Sequence, residues 1–256
     1  MRHRLILLEG IPGSGKTTTA RALTNRLRGW GVPARLWVEG QMDHPLDLFG
    51  YAYLGPGALD ELARAYPGQG EGLALRSRTY GGHCLTPYRG LALPEGLERA
   101  LAAREFCYTD RPQVPFAAFS EVFAQRFGAF ARENAPSASV TVCESALLQH
   151  QIHDLNRLYP ALPREAALGH LERLAAALAP LEPVLFYLAP SDVADSLART
   201  AAQRGQPQWR ARAGYLAQRA ELERQALARL PLRAVTLADP ARDRQAALGR
   251  MLGSLA

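Results

Sequence analysis

"LILLEGIPGSGKTTTA", residues Leu5 to Ala20, is the stretch on which the fold turns. The run from Arg4 to Glu9 is continuously apolar at its centre and reads as a strand buried on both faces, as in a parallel sheet. Gly10 to Thr17 fits G-x-x-x-x-G-K-[ST] without a mismatch. Thr17 to Arg28 then carries Ala20, Leu23 and Leu27 on one helical face and stops at Gly29 and Gly31. Strand, glycine loop and helix in this order make a cradle for phosphate. The glycines let the backbone curl so that its N–H groups converge on phosphate oxygens, and the helix N-terminus adds positive field.

The expected nucleotide-binding set is therefore Gly10, Pro12, Gly13, Ser14, Gly15, Lys16, Thr17 and Thr18. Lys16 reaches for the β- and γ-phosphates, Thr17 places its hydroxyl on Mg²⁺, and Thr18 stands near the α-phosphate. Lys16 is also the only lysine in the chain; every other Lys/Arg position is arginine. An ammonium on a flexible stem fits inside the loop, whereas a planar guanidinium does not.

Composition narrows the class. The chain has 256 residues, 48% of them hydrophobic, so one domain with a sizeable insertion can bury a full core. No apolar run reaches the roughly 18 residues of a membrane helix. The charged start, Arg2 to Arg4, leads into an apolar run too short for a leader and without a cleavage site, so a cytoplasmic protein off the membrane is expected. Cys84, Cys107 and Cys143 are widely spaced, which suits three reduced thiols rather than a disulfide framework or zinc spacing. The net charge of +6 comes without a Lys/Arg block or an aromatic RNA-binding motif. It suits a protein that handles several phosphates better than a nucleic-acid binder. A homodimer is left open.

Four further strands are expected at Ala34 to Glu39, Ser139 to Glu144, Pro183 to Leu188 and Arg233 to Leu237. Helical patterns separate most of them: Arg164 to Leu178, a helix from Ser191 to about Gln203, Gln208 to Leu230, and a last helix opened by Asp239-Pro240. Such alternation predicts an α/β fold of three layers, the P-loop NTPase architecture, with a five-stranded parallel sheet in residues 1–256. Residues 41–136 break the rhythm. They hold helical pieces near Leu59–Tyr66, Glu95–Phe106 and Phe116–Asn134, and the tyrosines Tyr51, Tyr53, Tyr80, Tyr88 and Tyr108. They read as a helical insertion between strands 2 and 3, lying over the carboxyl edge of the sheet and serving as the acceptor-binding region.

Ligands of such sheets gather at the carboxyl ends of the strands. The second strand ends in Glu39-Gly40, followed by Asp43-His44-Pro45; the third ends in Glu144-Ser145. A phosphate loop with acids closing these two strands resembles the nucleoside and nucleotide kinases, the thymidylate-kinase-like and deoxynucleoside-kinase-like P-loop proteins. In deoxynucleoside kinases the glutamate after the second strand takes the proton of the acceptor hydroxyl, and Glu39 occupies the matching place. Those kinases carry Glu-Arg-Ser after the third strand and thymidylate kinases Asp-Arg; here the sequence is Cys143-Glu144-Ser145, which keeps the acid and lacks the arginine. The resemblance further implies an arginine lid after the fourth strand, at residues 199–212, where Arg199, Arg204, Arg210 and Arg212 occur.

The resulting expectation is an ATP- and Mg²⁺-dependent phosphotransferase acting on a hydroxyl or phosphate of a small molecule. Lys16, Arg199 and Arg204 supply charge to the transferring group, with Arg210 and Arg212 on the nucleotide. Glu39 orients or deprotonates the acceptor. Glu144 holds Mg²⁺ with Thr17, or holds the acceptor. Asp43, His44, Tyr88 and Ser145, with Glu39, form the expected acceptor contacts. His150-x-x-His153-Asp154 has helical i, i+3 spacing and suits structural or acceptor contacts better than a metal. The competing reading is a P-loop ATPase or nucleotide-dependent switch acting on a protein partner.

Overall fold

A computed structural model describes residues 2–42, 44–205, 211–240 and 242–255, with the backbone alone at 203 and 204. Asp43, Arg210 and the side chain of Arg204 lie outside the described residues.

The core is a five-stranded, all-parallel sheet. Its strands are β1 (Leu5–Glu9), β2 (Ala34–Trp37), β6 (Val140–Glu144), β7 (Val184–Ala189) and β8 (Arg233–Ala238). They lie in the order β2-β6-β1-β7-β8. β1 is central, pairing with β6 on one side and β7 on the other, and all five of its residues are buried. The continuous apolar run of β1 is therefore the signature of a strand covered on both faces. One face packs α1 (Lys16–Gly29) and α10 (Arg244–Leu255), with Leu23, Leu27 and Met251 buried against Ile6 and Leu8. The other face packs α5 (Phe116–Asn134), α6 (Gln149–Leu158), α7 (Arg164–Ala177) and α9 (Ala213–Leu227), with Leu5 and Leu7 in a core that includes Phe119, Phe123 and Phe127.

The insertion corrects the sequence reading. It is not purely helical: a three-stranded antiparallel sheet in the order β3-β5-β4 runs through it. These strands are β3 (Tyr51–Leu54), β4 (Arg78–Tyr80) and β5 (His83–Pro87); the helices are α2 (Ala58–Ala65), α3 (Pro67–Arg76) and α4 (Glu95–Ala102). Gly81 and Gly82 join β4 to β5, both at positive φ (55° and 82°), as a two-residue hairpin turn requires. α5 belongs to the helical layer of the main sheet, so it is the crossover into β6 rather than part of the inserted unit. The inserted unit has its own small core around Ala52, Leu62, Leu73, Tyr88 and Leu97.

Two helix starts also differ. Asp192, not Ser191, caps α8 (Val193–Arg204), its carboxylate accepting from the N–H of Asp195 at 2.9 Å. Asp239 does not open the last helix. It sits at φ 43° and accepts the N–H of Ser191 at 2.7 Å, tying the end of β8 to the loop after β7. Asp243 instead accepts the N–H of Ala246 in the first turn of α10. No helix among the described residues is long and apolar enough to cross a membrane.

Candidate functional site

The phosphate loop runs from the carboxyl end of β1 into α1. Gly10, Gly13 and Gly15 all have positive φ (138°, 87° and 89°), a backbone that side chains resist. Two of the three are also hemmed in. A Cβ on Gly10 would stand 2.5 Å from the carbonyl of Leu188, and one on Gly13 would overlap the hydroxyl of Thr200 in α8. The hydroxyl of Ser196 donates to the carbonyl of Gly13 at 3.2 Å, so α8 rests directly on the loop. Lys16 is almost wholly buried and its Nζ donates to the carbonyl of Ile11 at 3.0 Å. Burial pushes its ammonium below the ordinary lysine value, and the carboxylates of Glu39 and Glu144 hold part of that back.

Glu144 ends β6 beside the loop. Its Oε1 accepts from the Thr17 hydroxyl at 2.6 Å, while its Oε2 is buried without a protein partner. A hydroxyl and an orphaned carboxylate oxygen are hard donors that fit Mg²⁺, which keeps waters and phosphate oxygens in its remaining positions. The fit needs no protein cage, and no group of three or more His, Cys, Asp or Glu suited to a metal occurs among the described residues. Ser145 follows at φ 62° and turns its hydroxyl to Glu39 Oε2 at 3.4 Å.

Glu39 stands two residues beyond β2, half-buried, 4.0 Å from His150 Nε2. Burial works against its ionisation, but the charges of Lys16 and then His150 outweigh it and hold the carboxyl below its usual range. His150 Nδ1 faces Asp47 Oδ2 at 3.3 Å. Asp47 in turn accepts from the N–H of Phe49 and from the Tyr108 hydroxyl at 3.2 Å. Tyr108 is at φ 57°, which turns its ring onto both His150 and His153. Burial, followed by the charge of Arg219, pulls His153 down to about 4, so it is a neutral imidazole at pH 7.

These groups line a partly open cavity of about 420 Å³. Its wall includes Pro12 of the phosphate loop, Glu39, Tyr108, His150, His153 and Arg219. Gln149, Arg212 and Tyr215 complete its polar lining. Of the expected acceptor set, Glu39 lines it, whereas His44, Tyr88 and Ser145 do not; Asp43 lies outside the described residues. His44 lies one ring behind, edge-on to His150 at 6.5 Å and to Trp37 at 6.0 Å. Burial pushes His44 down to about 3, and its Nδ1 accepts from the N–H of Leu46. Tyr88 is in the core of the inserted unit, donating to Glu105 at 2.6 Å; its large apolar ring took it away from the cavity. Ser145 touches the site only through Glu39.

The two described arginines of the expected lid divide. Arg212 lines the cavity, whereas Arg199 is paired with Asp195 on α8, which Arg242 also approaches at 3.3 Å. Sequence reasoning missed Arg219 and Glu9. Arg219 sits on the buried face of α9 and pairs with Glu223 four residues on, at 2.8 Å, while Tyr187 donates to the same carboxylate at 2.8 Å. The signal was a charged i, i+4 pair in register with Leu216 and Ala226, on the face that should be apolar. Glu9 is fully buried and accepts the N–H groups of Leu147 (2.6 Å) and Gln149 (3.0 Å), fixing the start of α6 and hence His150 and His153. Burial raises its carboxyl to about 7, against the pull of those two hydrogen bonds. A scan of protein-family models and a search of curated proteins return no match to this chain.

Proposed function

We propose that this chain is an ATP-dependent phosphotransferase that moves the γ-phosphate to a hydroxyl or phosphate of a small molecule. The observation that carries the reading is the shared pocket: Pro12 of the glycine loop and Glu39 line one partly open cleft of about 420 Å³, large enough for a small acceptor. A loop that only sensed or hydrolysed a nucleotide needs no such chamber beside it.

In this reading the loop N–H groups and Lys16 hold the β- and γ-phosphates. Thr17 and Glu144 would hold Mg²⁺, which would supply charge neutralisation to the phosphates. The acceptor oxygen forms a bond to the γ-phosphorus, the bond to the β-bridging oxygen breaks, ADP leaves, and the hydroxyl proton passes to Glu39 or to water. Glu39 is a weak base because Lys16 and His150 hold it ionised. That suits a loose transition state, in which the proton leaves late and alignment of the hydroxyl matters more than its removal. His150, backed by Asp47, fixes where the Glu39 carboxylate can point. The three free cysteines agree with a cytoplasmic setting.

The test is ADP formation with nucleosides, nucleotides, sugars and hydroxylated antibiotics as candidate acceptors. Release of ADP that depends on one of them, and is lost in Lys16→Ala, supports the reading. Tight ATP binding with hydrolysis raised only by a macromolecule supports the switch reading instead.

A further inference from the structure

Arg219 is 4% exposed, and its guanidinium is only half satisfied. Nε donates to Glu223 at 2.8 Å, whereas Nη2 is buried without a partner. Leaving a charged donor unmade in this way is costly, and such a group takes up a water, an ion or a ligand where one can reach it. The side chain lines the wall of the cavity that holds Glu39. Glu223, itself held by the Tyr187 hydroxyl, anchors Nε, so the guanidinium is set before anything binds. Tyr108 and the neutral His153 offer flat faces in the same cavity.

We infer that the acceptor is a planar, hydroxyl-bearing acid whose carboxylate or phosphate is held by Arg219, with its hydroxyl at Glu39. The inference takes the position of the hydroxyl from the phosphotransferase reading; the anion site stands on its own geometry. Arg219 pairs with an oxyanion through the guanidinium edge that lines the cavity, and the ring of the acid lies against Tyr108 and His153. A neutral molecule of the same shape leaves the guanidinium orphaned, which is the strongest form of discrimination a buried site offers. Arg219 and Tyr215 also line a second cavity, of about 660 Å³. Ala217, exposed on α9, lines only that second space.

The experiment is equilibrium binding, without nucleotide, of 4-hydroxyphenylacetate and of its amide as a neutral twin. The wild-type chain should bind the acid at least about tenfold more tightly than the amide, in line with a charge-assisted hydrogen bond. Arg219→Gln should erase the difference; because it strands Glu223, Arg219→Lys is run beside it and should shrink the difference several-fold with the fold kept. Ala217→Trp, which fills the second cavity, should leave the difference intact. Equal binding of acid and amide, binding of neither at millimolar concentration, discrimination that survives both Arg219 variants, or its loss in Ala217→Trp overturns the proposal. Acid binding through Arg219 without any ADP formation in the acceptor assay would keep the anion site and remove the phosphotransferase reading.

Discussion

Glu39 and Lys16 form the charge pair about which the account turns, and they predict different losses. Lys16→Ala should abolish phosphoryl transfer and weaken ATP binding, read by calorimetry. Glu39→Gln should lower transfer by about 10²–10⁴ while nucleotide affinity stays within a few-fold, because the loop N–H groups and Lys16 that hold the phosphates are kept. Full turnover in Glu39→Gln would remove Glu39 from the chemistry. Asp154 makes a stability prediction. Burial, then the nearby Asp47, raises its carboxyl from an ordinary 3.8 to about 7, and its Oδ1 has no partner. The folded chain therefore holds a proton that the unfolded chain releases near pH 4. The stability from this group is complete below about pH 4 and lost as pH rises through about 7. Asp154→Asn should flatten that decline and stabilise the chain at pH 8 by about 1–3 kcal/mol, read from denaturant melts at several pH values. At this scale the legible residues were those in a motif or at a strand end. Arg219 was hidden because an arginine on a long, arginine-rich helix looks solvated until the helix is seen face-on.

The phosphate loop and α8 act as one element, since Gly13 is in contact with Ser196 and Thr200. Gly13→Ala places a methyl on Thr200 and forces a side chain to φ 87°. It should cost about 1–3 kcal/mol in thermal or urea melts and weaken ATP binding. Thr200→Ala in the same chain should restore only the part due to overlap, because the backbone strain remains. Full recovery would assign the whole effect to packing. Long elements were legible because their periodicity is strong: α5 spans Phe116 to Asn134 in sequence reading and structure alike. The strands of the insertion were not, being three to five residues long and without clean alternation. One signal was present, Gly81-Gly82 between Tyr80 and His83, the dipeptide of a tight hairpin. Asp239-Pro240 misled for a different reason: its aspartate had a tertiary partner, the N–H of Ser191, that local sequence does not show.

Across the molecule, the five parallel strands were readable because each is a short apolar or β-branched run, and the two wholly buried strands β1 and β6 close on a glutamate. The strand order brings Glu9, Glu39 and Glu144 to one edge of the sheet, where Lys16 meets the latter two electrostatically. The cavity was not readable, since its walls come from the loop after β2, the inserted unit, α6 and α9, which are far apart in the chain. The central claim is that this edge hands a phosphate to a small molecule. The most direct measurement follows the γ-phosphate of labelled ATP, with Mg²⁺ and the low-molecular-weight fraction of a cell extract. The account predicts label in an organic phosphate that is absent with Lys16→Ala. Label found only as inorganic phosphate, at a rate that the small-molecule fraction leaves unchanged, would contradict it.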